Sequence, residues 1–334
     1  MGHKVALWSI FIPAVFLLSQ DALSKKKLKV EGSLVSEAAA KGTGRGEAGH
    51  EFELELKTKR KEKTKIEVSL KAWTEDDEIA LRKAFFDYRL DEDTKIQFGA
   101  NKKRFGAQYQ YNNASRYTNK RHIIYRQKLA VFSWVGYETS LRYLVASKED
   151  SLAKAWDFTI GYTESQEGSL MAHLHQPLDS EYFYELWSLV QVSKKTQNSQ
   201  IAYGLVAMLA KESADRFWQW ETAGGKDPVE TEFEVIFNNG QPIHFLSTRV
   251  LTGWRFSGAD KAKVWEPMME FSAIVHDTGQ PTYNTLQCLL GIRFRHGPLM
   301  IGFNVDGVAA NSRTDAQNRL YDESSVSVLG RYDF

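Results

Sequence analysis

The sequence predicts an all-β chain, folded as a transmembrane antiparallel β-barrel of about 16–18 strands with one long inward-folding external loop. Three observations favour this fold class. Apolar and polar residues alternate with a period of two along most of the chain, and short polar breaks interrupt the alternation repeatedly. The mean hydropathy is −0.42, although the composition is 43% hydrophobic. Barrel strands present apolar side chains to lipid and polar side chains to a lumen, which explains all three observations.

The N-terminal segment has the layout of a secretory signal peptide. Lys4 supplies a basic start, Val5–Leu18 is apolar, and ALS at 22–24 offers small residues for cleavage. An uncleaved membrane anchor is the alternative, but the apolar run is shorter than the ~20 residues that a spanning helix needs. We therefore expect 1–24 to be a cleaved signal peptide and 25–334 to form a single barrel domain.

The first strands show the alternation clearly. In HEFELELKTK, Phe52, Leu54 and Leu56 alternate with charged residues, and TKIEVSLKAW repeats the pattern from Thr64. The segment from Glu78 to Leu90 fits an amphipathic helix on periodicity alone. Its period-two pattern and the turn that follows it favour a strand.

The end of the chain separates a membrane barrel from a water-soluble barrel or sandwich, which would show the same alternation. Val326, Val328 and Tyr332 share one strand face with the last residue, Phe334. This ending resembles the C-terminal signature of bacterial outer-membrane barrels. The resemblance implies location in the bacterial outer membrane, with its lipid and lipopolysaccharide as neighbours, and contact of Phe334 with the barrel-insertion machinery.

A basic stretch follows the fifth predicted strand. Asn101–Lys128 holds eight Lys or Arg residues, five aromatic residues and no Asp or Glu, in a chain of net charge +1. With strand five at Thr94–Lys103 and strand six at Leu129–Glu138, the stretch is the third external loop and the longest connection. Connections of this length are usually functional.

Fixed positive charge in a narrow pore offsets the hydration that an entering anion loses, so Lys and Arg line anion pores. Strand arginines opposite apolar neighbours, Arg249 with Arg255 or Arg293 with Arg295, are further lumen candidates. A solvated loop and a loop that contacts lipid phosphates are the alternatives. The predicted pore-lining and anion-binding residues are Lys102, Lys103, Arg104, Arg116, Lys120, Arg121, Arg126, Lys128, Arg293 and Arg295.

The segment Ala84–Gln108 resembles part of the phosphate-selective porins O and P, in which an aromatic strand leads into a Gly-x-x-Lys-x-x-Phe-Gly stretch. Gly99, Phe105 and Gly106 carry the match, together with Lys102 or Lys103. That family usually has proline where this chain has Arg104. The resemblance implies a water-filled channel for passive diffusion of small anionic or polar solutes, phosphate among them. It also implies an inward third loop and a homotrimer.

Other candidate sites are weaker. His173 and His175 share a strand face but lack a third metal ligand, so a polar lumen pair is favoured over a metal site. Cys288 alternates with apolar residues and is expected to face lipid. No spacing indicates a catalytic triad. We expect no enzyme, cofactor or nucleic-acid partner, and retain an adhesive or structural barrel and a barrel hydrolase as alternatives. Interfacial aromatic girdles are expected to include Trp134, Trp156, Trp187, Trp218, Trp220, Trp254 and Trp265.

Overall fold

A computed structural model of the chain describes most residues after the expected signal peptide, which lies outside the described residues. Across this part of the chain, no helix is long and apolar enough to cross a bilayer. The described residues are 28–41, 46–60, 63–73, 78–110, 118, 122–125, 129, 134–149, 152–163, 167–193, 200–226, 244–258, 262–279, 284–311 and 324–334.

Antiparallel strands account for nearly all of these residues. The strands are β1 (Leu28–Lys41), β2 (Gly46–Arg60), β3 (Thr64–Trp73), β4 (Glu78–Arg89), β5 (Thr94–Lys103), β6 (Gly136–Glu149), β7 (Leu152–Tyr162), β8 (Glu167–Pro177), β9 (Tyr182–Ser193), β10 (Gln200–Glu212), β11 (Arg216–Lys226), β12 (His244–Trp254), β13 (Phe256–Ser257), β14 (Lys263–Val275), β15 (Asn284–His296), β16 (Leu299–Asn311) and β17 (Ser325–Asp333). A short helix, α1 (Ala107–Gln110), follows β5. Because β13 continues β12 beyond Arg255 and pairs with the same neighbour, the 17 segments form a ring of 16 strands.

The ring closes between the first and last strands, as a membrane barrel requires. Each strand pairs with the next along the chain, and β1 pairs with β17 from Ser33 to Lys41. At the seam, Phe334 N donates to Gly32 O at 2.9 Å, and Gly32 N donates to Phe334 O at 3.0 Å. The Phe334 ring stacks on Phe52 with centroids 6.1 Å apart. The predicted closed antiparallel barrel is confirmed, and closure removes the strand edges that hydrocarbon would leave unpaired.

The two ends of the barrel differ in their connections. Residues 90–93, 178–181 and 297–298 are among the tight turns of one end, the short-turn end, whereas the opposite, loop end carries the longer connections. Strand β5 has the predicted bounds. The predicted bounds of the sixth strand, Leu129–Glu138, are wrong, because β6 begins only at Gly136. Leu129 and Trp134, which precede it, are buried inside the barrel.

Side chains alternate between an apolar outer face and the lumen. On β12, Leu246 and Val250 are exposed while Ser247 and Arg249 are buried. Cys288 lies on the outer face, as its place in the alternation predicted.

The tryptophans only partly follow the expected girdles. Trp156, Trp220 and Trp254 are exposed on the outer face. The expectation is wrong for Trp134 and Trp187, which are fully buried inside the barrel. They pack against other lumen groups rather than facing the outside.

Candidate functional site: the lumen and its inward loop

The described residues of the connection between β5 and β6 are 104–110, 118, 122–125, 129 and 134–135. Most of them are buried inside the barrel, and we call this part of the connection the inward loop. Its residues Phe105, Tyr125 and Trp134 are fully buried. The rings of Phe105 and Trp134 meet edge to face with centroids 5.7 Å apart. The predicted inward fold of the third external loop is therefore confirmed for its described residues.

The inward loop packs against the lumen face of β8–β12, which we call the covered wall. Trp134 contacts Phe245 of this wall with ring centroids 5.7 Å apart. The covered wall carries a cluster of buried apolar side chains where it meets the inward loop rather than water. Its buried apolar residues are Met171, Trp187, Leu189, Ala202, Val206, Met208, Ala210, Ala223 and Phe245.

Two glycines shape the covered wall around one indole ring. Gly204 of β10 and Gly225 of β11 face each other in register. A Cβ atom at either position would overlap the side chain of Trp134. The pair thus forms a notch that fits Trp134 and fixes the position of the inward loop at this point.

Polar contacts also hold the inward loop to the barrel. The Tyr125 hydroxyl donates to a carboxylate oxygen of Glu221 on β11. The backbone N–H of Ile123 donates to Gln287 Oε1 on β15 at 3.2 Å. Within the loop, the N–H of His122 donates to Gln108 Oε1 at 2.7 Å. These bonds satisfy backbone and side-chain groups that the loop removes from water.

The Glu221 carboxylate is shared with a buried arginine. Arg249 NH1 lies 3.2 Å from Glu221 Oε2, and Arg249 Nε donates to Glu270 Oε2 at 2.8 Å. Arg249 was a sequence candidate for the lumen, and it does lie on the lumen face. Its guanidinium is committed to two carboxylates beneath the inward loop.

The lumen face of β1–β4, which we call the charged wall, has a different chemistry. Lys57 Nζ contacts Glu31 and lies 2.5 Å from Glu55, and Lys83 Nζ lies 2.6 Å from Glu55 and 3.5 Å from Glu67. The Lys57 and Lys83 side chains keep 25% and 16% of their surface accessible. The charged wall is therefore a ladder of partly hydrated ion pairs.

The structure separates the sequence-predicted basic residues. On β5, Lys102 lies on the outer face with Phe98, while Lys103 points into the lumen, because neighbouring side chains alternate. Arg104, at the start of the inward loop, is half-buried and lies within electrostatic range of Arg142 and Asp157. The other predicted loop residues lie outside the described residues: Arg116, Lys120, Arg121, Arg126 and Lys128.

Lys103 contacts side chains of two other strands inside the lumen. Its Nζ lies 3.5 Å from Glu138 Oε2 on β6 and 3.4 Å from Gln191 Oε1 on β9. The same Glu138 oxygen accepts a 2.7 Å bond from Ser169 Oγ. Since Lys103 is 1% exposed, its charge acts on the lumen through the field rather than by direct contact with a solute.

Arg293 and Arg295 lie together with Arg255 near the short-turn end, and we call the three the arginine triad. All three contact the buried carboxylate of Glu266 on β14: Arg293 Nε at 2.6 Å, Arg295 NH2 at 2.9 Å and Arg255 Nε at 3.2 Å. The sequence predicted two lumen pairs, Arg249 with Arg255 and Arg293 with Arg295. Arg255 contacts the same carboxylate as the second pair instead of a partner of Arg249.

The histidine pair lies in the lumen without the geometry of a metal site. His173 Nδ1 lies 3.0 Å from Asp157 Oδ2, whose carboxylate also accepts two bonds from Arg142. The His173 ring stacks on Trp187 with centroids 5.0 Å apart. Among the described residues, no group of three His, Cys, Asp or Glu side chains could hold a metal ion.

Sequence reasoning missed the charged wall and the glycine notch. Lys57 alternates with Leu54 and Leu56, so alternation alone could have placed it in the lumen. Lys83 alternates in the same way with Ala84 and Phe86. The notch has a subtler signal. Gly204–Ala210 is apolar at every position, and a strand that is apolar on both faces needs an apolar partner on its inner side.

The chain resembles known proteins in its fold but not in its sequence. No protein-family model matches the chain, and no curated protein matches its sequence. Solved structures do match it. The chain has the fold of bacterial outer-membrane porins.

Three of these solved structures illustrate the likeness. OmpT, an outer membrane protein of Vibrio cholerae, shares 9% identity at a TM-score of 0.64, over 92% of this chain and 99% of that one. The outer membrane channel DcaP of Acinetobacter baumannii shares 11% sequence identity at a TM-score of 0.61, over 92% of this chain and 97% of that one. An anion-selective porin from Comamonas acidovorans shares 9% sequence identity at a TM-score of 0.63, over 92% of this chain and 99% of that one.

Proposed function

We propose that the chain is an outer-membrane porin: a water-filled channel for passive diffusion of small solutes, with a preference for anions. The observation that carries the channel is the lumen itself. The inward loop fills the side of β8–β12, while the charged wall keeps accessible surface that a packed core would not leave. Sixteen strands are enough to enclose an aqueous channel.

The anion preference rests on charge distribution. The described lumen cations are largely paired with carboxylates, whereas the inward loop and the strand before it contain no Asp or Glu from Thr94 to Tyr137. Excess positive charge in a constricted lumen raises the local concentration of anions. The resemblance to phosphate-selective porins makes phosphate the first solute to test.

Reversal potential in a planar bilayer under a KCl gradient tests both parts. We expect stepwise conductance and a reversal potential on the chloride side. A variant with Gln at Arg116, Lys120, Arg121, Arg126 and Lys128 should shift the potential towards potassium. Cation preference in the natural chain would overturn the anion preference, and absence of conductance would overturn the channel.

We also propose that the barrel self-associates through the outer face of β1 and β2. A polar pair lies there, His50 Nδ1 and Ser36 Oγ at 2.9 Å, beside the small residues Ala38, Ala40 and Ala48. Polar groups on a lipid-facing surface are costly, and small side chains permit close approach. The matched OmpT structure is a trimer form. Light scattering of the detergent-solubilised protein should give three copies, and Ala38→Trp should give one; a monomeric natural chain would refute the interface.

A further inference from the structure

Lys95 and Arg104 are half-buried cations of the lumen that lie close to each other. Lys95 shares the lumen face of β5 with the buried Gln97 and Asn101, and Arg104 follows at the start of the inward loop. Among the described residues, neither cation forms a hydrogen bond or an ion pair. Lys95 lies within electrostatic range of Arg104. Their like charges repel each other, and an anion placed between them would offset that repulsion.

The other cations around Lys95 already have carboxylate partners. Lys65 Nζ of β3 lies 2.6 Å from Glu67 Oε2. On β6, Arg142 donates two bonds to the Asp157 carboxylate, at 2.9 and 2.6 Å. Lys65 and Arg142 are therefore held by acids, whereas the donors of Lys95 are taken up by no described side chain.

A buried carboxylate, that of Asp87 on β4, lies beside the two cations. Asp87 pairs in register with Gln97, which makes it the diagonal neighbour of Lys95 on the lumen face. It lies within electrostatic range of Lys95 and Arg104 but forms an ion pair with neither. Asp87 is 8% exposed, and its Oδ1 atom has no hydrogen-bond partner among the described residues. Because a buried carboxylate oxygen without a donor is costly, a ligand at this place should also supply a donor.

We propose that Lys95, Arg104 and Asp87 form a binding site for small dicarboxylates that also carry an ammonium group, as acidic amino acids do. The two ligand carboxylates bind the two cations through charge-assisted hydrogen bonds, and the ligand ammonium donates to Asp87. The single net negative charge of such a ligand balances the single net positive charge of the three side chains.

This site is a property of the chain itself. Arg104 stands where the phosphate-selective porins usually have proline, so the resemblance to that family does not imply the site. The site lies where β4 of the charged wall meets β5 and the start of the inward loop. Its role as a solute-selective station in transport rests on the proposed function.

Direct binding tests the site without requiring conductance. Titration calorimetry of the detergent-folded barrel, at neutral pH and constant ionic strength, should show saturable binding of glutamate. Glutarate has the same two carboxylates but no amine, and it should bind at least about tenfold more weakly. Lys95→Gln should weaken glutamate binding about tenfold, because it removes a charge-assisted donor. Lys57→Gln is the matched control, since Lys57 of the charged wall is already bound by Glu31 and Glu55, and it should leave glutamate affinity unchanged.

Asp87→Asn tests the ammonium contact. It should weaken glutamate binding and bring the affinities for glutamate and glutarate to within about twofold of each other. Circular dichroism verifies that each variant folds. If Asp87→Asn does not fold, the comparison of glutamate with glutarate in the natural chain still tests the contact.

Four results would overturn the site: no saturable glutamate binding, equal affinities for glutamate and glutarate in the natural chain, full discrimination in folded Asp87→Asn, or an equal loss in Lys95→Gln and Lys57→Gln. A barrel that binds glutamate but does not conduct would overturn the proposed channel and leave the site standing. A barrel that conducts but does not bind glutamate would overturn the site and leave the channel standing.

Discussion

The covered wall and the charged wall are built from the same kind of strand, yet their lumen faces are opposite in chemistry. On β10 the lumen positions are small or apolar, as at Ala202, Val206 and Met208, and they are almost completely buried. On β2–β4 the lumen positions include Glu and Lys side chains in partly accessible ion pairs. The difference teaches that one barrel interior can be half protein core and half water-facing surface. In the proposed channel, solutes would follow the charged wall, off the barrel axis.

The largest effect is expected from removal of Trp134, the indole that fixes the inward loop on the covered wall. Trp134→Ala deletes a fully buried indole from the covered wall and should lower the free energy of unfolding by about 3–5 kcal/mol, because nothing refills the notch. Urea unfolding of the detergent-folded protein measures this, and single-channel recordings should become noisier.

Gly204 provides the control for that experiment. Gly204→Ala alone should cost about 1–3 kcal/mol by overlap with the indole. In the Trp134→Ala background it should cost almost nothing, because the overlapping ring is gone. Gly307→Ala, on the outer face with its nearest neighbour 3.7 Å from the added Cβ, should be neutral. Additive losses at positions 134 and 204 would contradict the notch.

A smaller change removes one hydrogen bond from the covered wall. Tyr125→Phe leaves the ring in place but deprives the buried Glu221 of a donor, and it should destabilise the barrel by about 1–3 kcal/mol. Tyr143→Phe on the exposed outer face serves as the comparison and should have little effect. Equal unfolding midpoints for the two variants would show that this contact does not hold the loop.

Thiol labelling compares the two walls directly. In a Cys288→Ser background, a cysteine replacing Lys57 on the charged wall should react with a small water-soluble methanethiosulfonate reagent. A cysteine replacing Gln219 beside Glu221 should react at least about tenfold more slowly, because a buried thiol reacts only after local opening. Similar rates at both positions would mean that water reaches both walls alike.

The smallest effect concerns a turn outside the strands. The backbone N–H groups of Glu181 and Tyr182 donate to Asp179 Oδ1 at 2.7 and 2.8 Å, and these bonds lower the pKa of Asp179 below 3.8. A lowered pKa stabilises the folded state above pH 3.8, and the contribution disappears as the pH falls through the folded value. Asp179→Ala should slightly reduce the loss of stability on acidification, measured as the change in unfolding midpoint between neutral pH and about pH 3. No change in the pH profile would argue against this contribution.

The sequence predicted the barrel because most strands repeat one local rule, the alternation of apolar and polar residues. The bounds of β5 follow from Ile96 and Phe98 facing out and Gln97 facing in. The rule fails near Leu129 and Trp134, whose apolar side chains resemble those of a strand but pack on the covered wall. Alternation assigns a face and cannot assign the partner on that face. The notch of Gly204 and Gly225, and the meeting of Arg255 with Arg295, depend on contacts that only the closed ring creates.

The apolar interior of β10 also bears on how such a chain reaches its membrane. A protein secreted across one bilayer to be inserted in another must not halt in the first, and a helix halts there only with about 20 apolar residues. Residues 204–210 are apolar on both faces, but Lys211 ends the run within the same strand. A loop-covered wall can therefore be as apolar as a soluble core while the segment that forms it stays too short to act as a stop-transfer signal.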